Sequence, residues 1–289
     1  MVKSKSTKLG DWIIVFICVL VILACLLPLL NILARSLSSP EAMVKNEVLL
    51  LPVDLNFKAY TAVLGDSAVT WSLAWTAILT VVTTIWCMFM TIICAYPLIY
   101  DNLKGKKLIL ALIIFTMYFN AGLIPTYLLL KELHLLNNPL VLILPGSISV
   151  FNVIIMRSFF FGIPESLKES AELDGAGPLR VLVSVYLPLS MPVMATLSLF
   201  YAVGRWNGFS DALMFVSNRD YYPIQLLLFN ILNSITAVDV ATQEGFTSPG
   251  LSESIKSATV MFATVPILLI YPWLQRYFIS GVTIGAVKG

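Results

Sequence analysis

The sequence predicts an all-α membrane protein with six transmembrane helices and both termini in the cytoplasm. Three observations carry this. The 289-residue chain is 58% hydrophobic and only 12% charged, where a soluble domain carries about a quarter charged residues. Six segments meet the requirement of roughly 20 predominantly apolar residues for crossing the hydrocarbon core. The lysines and arginines favour alternate connections, with the N-terminus inside. A mean hydropathy of +0.90 agrees.

The first span covers about residues 12–34. Lys3, Lys5 and Lys8 precede it, as in a secretory signal. The apolar run is too long for a signal core and no convincing small-residue cleavage site follows, so it reads as a retained signal-anchor helix, bent at Pro28. The other spans cover about 70–99, 108–130, 140–161, 189–214 and 257–279. The short connection Lys104-Gly105-Lys106-Lys107 is the strongest vote for orientation, and Arg157, Lys168, Arg180, Arg276 and Lys288 fall on the same side. Arg35, Lys45, Lys58, Lys131, Arg219 and Lys256 are spread over more residues outside.

Two long loops face outward, from about Arg35 to Val69 and from about Val216 to Lys256. They carry Pro40, Pro52 and Tyr60, then Tyr221, Tyr222, Pro223, Phe246 and Pro249. Loops of this length and mixture either pack between helices or meet a partner. Trp71, Trp75, Tyr96 and Tyr100 read first as interfacial anchors. Cys18, Cys25, Cys87 and Cys94 lie in apolar runs and read as small buried hydrophobes. With His134 the only histidine, no histidine metal cluster and no Ser-His-Asp triad is available. No catalytic residue is assigned, and a net charge of +2 gives no reason to expect a nucleic-acid partner.

One polar segment interrupts this membrane-grade chain. Residues 162–188 join the fourth and fifth spans. Pro164 suits the first turn of a helix, and Glu165 and Glu169 lie near its positive end. Leu167, Ser170, Ala171 and Asp174 fall on one side at helical spacing, and a stripe of mostly small residues lets another surface approach. Gly175 can end the helix in a left-handed conformation, after which Pro178 can start another carrying Val181, Leu182 and Val185 and ending before Leu187-Pro188. The expectation is a short helix along the cytoplasmic face, tied to the fifth span. An ordinary amphipathic loop helix with an Asp-Gly turn is the alternative.

The segment resembles the Glu-Ala-Ala loop of ABC importer permeases, in which Glu-Ala-Ala is followed after three residues by Gly and nine later by Ile-x-Leu-Pro. Glu169, Ala171, Gly175, Leu187 and Pro188 match at that spacing, while Ser170 stands for Ala and Val185 for Ile. Leu173-Asp174-Gly175-Ala176, the preceding Arg157-x-Phe159-Phe160-x-x-Ile163-Pro164 and Trp206-Asn207 are similar to the carbohydrate, maltose-type branch. Gly122-Leu123-Ile124-Pro125-Thr126-Tyr127 and the terminal Gly285-Ala286-Val287-Lys288-Gly289 resemble its oligosaccharide subgroup.

The resemblance implies a type I ABC importer permease fold in a bacterial cytoplasmic membrane. The organisation is then an N-terminal tail, first helix and external loop over 1–69, a transmembrane domain over 70–280 and a cytoplasmic tail over 281–289. It implies that Glu169, Ser170, Ala171, Asp174, Gly175, Ala176, Leu187 and Pro188 couple the permease to an ATPase. Two ATPase subunits would carry ATP and Mg, with no cofactor on this chain. A second homologous permease, an extracytoplasmic solute-binding protein and membrane lipid would complete the set, with a carbohydrate, most simply an oligosaccharide, as cargo. A non-sugar solute is the alternative.

Polar residues inside spans mark pathways or pairs. The fifth span holds Gly204-Arg205-Trp206-Asn207-Gly208-Phe209-Ser210-Asp211. On a straight helix Arg205 would lie roughly 22 Å from the cytoplasmic start, with Asn207 and Asp211 sharing a face. Arg205, Trp206, Asn207 and Asp211 either line a sugar cavity or form a structural arginine pairing at an outer gate. Asn120, Tyr127 and Asn152 carry the same two readings. An ion-coupled secondary transporter is disfavoured, because the spans have almost no embedded Asp, Glu or His and show no legible inverted repeat. No phosphate-binding Gly-x-x-x-x-Gly-Lys-Ser/Thr motif for a built-in ATPase appears, and no metal motif or nucleophile-base pair, so a membrane-embedded enzyme is disfavoured as well.

Overall fold

A computed structural model describes residues 5–119, 121–241 and 253–269, and among these the regular structure is entirely helical. The longest elements are α1 (Lys5–Ser36) and α4 (Ser67–Ala95), separated by the short α2 (Pro40–Val44) and α3 (Lys58–Gly65). α1 runs through Pro28 as one helix. After a 3₁₀ turn at Pro97–Ile99 come α5 (Lys106–Tyr118), α6 (Leu123–Glu132), a second 3₁₀ turn at Pro139–Leu142 and α7 (Val150–Phe161). Then follow α8 (Glu165–Leu173), α9 (Pro178–Val181), α10 (Leu187–Leu189), α11 (Met191–Asn207), α12 (Ser210–Phe215) and α13 (Ile224–Ala241). A last helix, α14, occupies 253–269.

By length and composition, two helical stretches could cross a membrane alone, Gly10–Ser36 and Ser67–Ile99, and up to five could if each bent helix pair is one span. Several expected spans are therefore broken. The segment 108–130 is two helices, α5 and α6. Pro125 has no N–H to donate to residue 121, so the helix restarts at Leu123 with the proline in its first turn. Segment 140–161 is α-helical only from Val150, after the 3₁₀ turn at Pro139–Leu142, because Pro145 interrupts the ladder. The irregular backbone is covered by side chains, as such depth requires. Trp86 Nε1 donates to Ser147 Oγ (2.7 Å), Ser147 Oγ to the Leu144 carbonyl (2.7 Å) and Cys87 Sγ to the Gly146 carbonyl (3.4 Å).

Segment 189–214 divides at Gly208 into α11 and α12, so Asn207 and Asp211 do not share one helical face. The second long outer loop is also corrected, since Ile224–Ala241 within it is helical. Of the sixth span, 257–269 is helical, and 270–279 lies outside the described residues.

The described residues fall into two compact units, one drawing on those up to Thr70 and on those from Leu227 to Val265, the other on those from Trp71 to Leu226 and those from Pro266. In the first, the end of α1 and α2 bury Ala34, Ala42, Met43 and Val48. Ser39 Oγ accepts from Ala42 N (3.3 Å) and Pro40 fills the first turn of α2.

The second unit has two packed clusters. One joins α4, α7, α9 and α11 through Met88, Met156, Phe160, Val181 and Leu197, together with Tyr96 just after α4 and Tyr186 beyond α9. The other gathers Leu79, Leu130, Leu142, Ala212 and Leu226. Tyr96 is thus not an interfacial anchor but a buried junction residue. Its ring meets Phe160 and Tyr186 edge-on at 6.2 and 5.3 Å, geometry favoured by the ring quadrupoles. Its hydroxyl donates to the Pro178 carbonyl (2.8 Å) and pairs with Tyr100 Oη (2.5 Å). Tyr96→Phe keeps the rings but removes both bonds, so a loss of about 1 kcal/mol is expected. Thermal unfolding of the detergent-purified protein measures it, and an unchanged midpoint would deny the hydroxyl a structural share.

Candidate functional site

Segment 162–188 forms a hinged pair of helices on the junction just described. α7 and α8 meet at 72°. Gly162 N closes α7 by donating to the Phe159 carbonyl (3.0 Å), and Pro164 stands one position before α8. α8 ends as the sequence predicts. Gly175 has φ of +81°, its N–H donates to the Glu172 carbonyl (3.0 Å), and Ala176 N donates to the Ala171 carbonyl (2.9 Å). These two bonds make the Schellman closure, and its left-handed residue favours glycine.

Pro178 then opens α9, but the following helix does not stop before Leu187. It passes through a π-helical stretch, Leu182–Tyr186, into α10 and ends at Ser190, whose N–H donates to the Tyr186 carbonyl (3.0 Å). The helix from Pro178 to Leu189 meets α11 at 82°. Bonding from residue to residue plus five accommodates Pro188, which has no N–H to give.

The motif residues divide between two surfaces. Ala171, Ala176 and Leu187 are half-buried and pack on the Tyr96 cluster. Glu169, Ser170, Asp174, Gly175 and Pro188 are exposed. The small-residue stripe is therefore split, because Ala171 turns inward to seat the helix. Sequence reasoning also missed the strongest outward apolar groups. Leu173 is 89% exposed and Leu179 is 77% exposed, one on each side of the Gly175 turn. Their signal was apolar residues within a polar loop, at positions that helical spacing alone did not assign.

The base beneath α8 is tied by mixed contacts. Lys168 Nζ sits 4.8 Å from the Tyr100 ring centroid and 3.7 Å from Glu165. Arg157 Nε donates to the Leu98 carbonyl (3.1 Å). Lys106 donates to Asp101 (2.8 Å) and holds that carboxyl below the usual carboxylate value. A cavity of about 480 Å³ lies here, lined in part by Tyr100, Asp101, Glu165, Lys168 and Tyr186.

The second group centres on Arg205, which is buried at the end of α11. Nη1 donates to Asp211 Oδ2 (2.5 Å) and the Leu142 carbonyl (3.0 Å). Nη2 donates to Asp211 Oδ1 (3.0 Å) and the Gly208 carbonyl (3.0 Å). This bidentate fork neutralises the charge and satisfies carbonyls freed by the helix break. Gly208 is needed for closeness, since a Cβ there would stand 3.1 Å from both Arg205 Nη2 and the Gly204 carbonyl.

Arg205 and Asp211 share a cavity of about 430 Å³ with Thr83, Cys87, Tyr201 and Phe215. Arg205 Nε and Thr83 Oγ1 are buried without a hydrogen-bond partner among the described residues. Trp206, Asn207, Tyr127 and Asn152 do not line this cavity themselves. Trp206 is buried, and Asn207 is exposed with its amide on the Val203 carbonyl (3.0 Å). Tyr127 stacks at a tilt on Phe215 (6.3 Å), Asn152 is buried in the first turn of α7, and Asn120 lies outside the described residues.

Comparison with known proteins gives three findings. Residues 72–284 match the family model described as binding-protein-dependent transport system inner membrane component. The chain is 37% identical over 285 residues to the polygalacturonan/rhamnogalacturonan transport system permease protein YtcP of Bacillus subtilis (strain 168), covering 98% of this chain and 100% of the relative. It is 40% identical over 266 residues to protein LplC of the same organism, covering 91% and 90%. Among solved structures, a chain of a bacterial ABC transporter involved in the import of the acidic polysaccharide alginate superposes with a TM-score of 0.86 at 30% identity, covering 96% of this chain and 99% of that one.

Asp211→Asn keeps the shape of the carboxylate and leaves the Arg205 charge uncompensated. A loss on the order of 2 kcal/mol is expected, below that of a fully buried pair because the Asp211 side chain is 34% exposed. Gly208→Val is expected to be destabilising in the same thermal assay. Wild-type midpoints for both variants would show that the fork adds nothing.

Proposed function

We propose, for a chain that belongs to the family of binding-protein-dependent transport system inner membrane components, a role as a permease subunit of an ATP-driven carbohydrate importer. The family is a transport permease rather than an enzyme. The cargo is a carbohydrate oligomer, supported by the sugar-polymer import named for relatives that match this chain nearly end to end. An extracytoplasmic binding protein delivers the cargo, and a second permease completes the pathway. Two partner ATPase subunits carry ATP and Mg, and this chain binds no cofactor. Six spans place both termini in the cytoplasm, with α1, α4, the α5–α6 pair, α7 with its preceding turns, the α11–α12 pair and the stretch from 257 to 279 as the crossings. The transmembrane domain is 70–280, preceded by 1–69 and followed by the tail 281–289.

The observation that carries the mechanism is the division of segment 162–188 into a seated face and an outward face. Ala171, Ala176 and Leu187 hold the pair of helices on the Tyr96 junction. Glu169, Ser170, Asp174 and Gly175 then meet the ATPase subunit, with Leu173 and Leu179 as apolar anchors. Exposed apolar side chains on an otherwise polar helix are the groups whose burial stabilises such an interface. Because the base is packed, a push on α8 is transmitted to α7 and α11 as rotation of rigid elements. Glu169 supplies charge complementarity to a basic group on the ATPase, and Pro188 sets the turn into α11. Arg205 and Asp211, with Trp206 beside them, act at the far end of α11 as a gate or pathway lining, with Asn207, Tyr127, Asn152 and Asn120 as further pathway candidates.

Leu173→Glu and Leu179→Glu leave the seated face intact and are expected to weaken ATPase-subunit binding about tenfold or more. Co-purification from membranes measures this. Glu169→Lys and Gly175→Asp are expected to leave the protein in the membrane while uncoupling ATP hydrolysis from sugar uptake. Full uptake by a well-expressed Glu169→Lys protein would remove the docking role.

A further inference from the structure

We infer that the cavity beneath the first turn of α8 holds the headgroup of a membrane phospholipid that carries a phosphate and a primary ammonium, as phosphatidylethanolamine does. The apolar stretch Ser67–Ile99 ends where the cavity begins, and α7 ends at Phe161, which also lines it. Residues 99–102 line the cavity from one connection, and Phe161, Glu165 and Lys168 line it from another. Two span ends thus meet it at the level where hydrocarbon gives way to headgroups. Lys104 and Lys107, exposed around the start of α5, mark the same level. The volume of about 480 Å³ lies within the range of about 300–1,000 Å³ usual for small-molecule sites.

Lys168 supplies the need for an anion. Its side chain is only 19% exposed, and an ammonium carries three donors. The Glu165 carboxylate, at 3.7 Å, is beyond hydrogen-bond reach, and the Tyr100 ring offers only its face at 4.8 Å. Among the described residues Nζ makes these two contacts and no hydrogen bond. A desolvated ammonium without an acceptor is costly. A phosphate oxygen gives it a charge-assisted hydrogen bond. Arg157, with its guanidinium 5.9 Å from the Phe161 ring centroid and its Nε on the Leu98 carbonyl, adds positive charge on the membrane side of the cavity. In a phospholipid the phosphate is the part of the headgroup next to the acyl chains, so it falls on that side.

Two carboxylates select the other end of the headgroup. The Asp101 and Glu165 side chains are 89% and 76% exposed, toward water. Lys106 donates to one Asp101 oxygen (2.8 Å), and each carboxylate keeps acceptor capacity for an ammonium. A net anionic headgroup would meet both negative charges, and a quaternary ammonium has no N–H to give them. Phe161, 63% exposed, continues the cavity as apolar surface, which favours a lipid over a free phosphate ester. Lys168 and Leu173 lie about 140° apart around α8, so the cavity and the proposed ATPase-facing leucine occupy different sides of the helix. The inference rests on α4 and α7 ending at a membrane boundary and is independent of the cargo.

Lipid competition tests it. The full chain in its native membrane complex is stripped of lipid in mild detergent. It is then offered phosphatidylethanolamine, phosphatidylcholine and phosphatidylglycerol of matched acyl chains in equal amounts. Native mass spectrometry reads the lipid retained, and phosphatidylethanolamine is expected to exceed either of the others severalfold. Lys168→Gln is expected to lower its retention severalfold, and Asp101→Asn combined with Glu165→Gln to remove the preference over phosphatidylcholine. Equal retention of the three lipids by the unaltered complex, or an unchanged preference in these variants, would overturn the inference. A benzophenone amino acid in place of Asn102, which lines the same cavity, probes the occupant without altering its charges. Illumination in native membranes is expected to yield a phosphatidylethanolamine adduct. An adduct with an ATPase peptide, or none with any lipid, would overturn the assignment. Recovery of the chain outside the membrane fraction would instead fail the membrane placement itself.

Discussion

The aromatic junction at Tyr96 is the contact on which the candidate coupling surface depends. Its ring fills the angle between Phe160 of α7 and Tyr186 in the helix that follows Pro178, and its hydroxyl reaches the Pro178 carbonyl. Three separate chain segments are thereby held at one point. Short helices in water are marginal by themselves, and packing supplies most of their stability. α8 and α9 are both short, so a shape fit for docking exists only because the residues beneath them are packed.

A second constraint acts where α11 ends. An arginine beside apolar helices needs its charge matched and its donors occupied. Asp211 and the carbonyls of Leu142 and Gly208 meet that need. The same fork closes the gap between α11 and α12, so the charge and the helix break explain one another. Breaks of this kind also account for the shortness of the helices. Pro125, Pro145 and Pro188 each remove a donor, and neighbouring hydroxyl, thiol and indole groups or altered helical bonding restore what is lost.

The local chemistry of segment 162–188 was legible in advance. Gly175 ends α8 with positive φ, Pro178 opens α9, and Glu165 lies in the first turn of α8, because caps and turns depend on a few adjacent residues. The apolar content of the spans was equally plain. Their continuity was not: a hydropathy window counts apolar residues through Pro145 or Gly208 without registering the missing bond. α13 was missed for the opposite reason. Ile224 to Leu232 is apolar but too short for a span, so hydropathy alone does not separate it from an outer loop.

By itself the sequence determined composition, helical class and the family, since these rest on residue identity and spacing along the chain. Tertiary structure alone decided which motif residues face in and which face out. Ala171 and Leu173 are two apart on one short helix, yet the first packs on the Tyr96 cluster and the second is almost fully exposed. Helical spacing ranks positions around an axis, but the side that is covered depends on where distant segments arrive. Arg205 makes the same point: its partner was nearby in sequence, but the Leu142 carbonyl that shares it comes from 63 residues away.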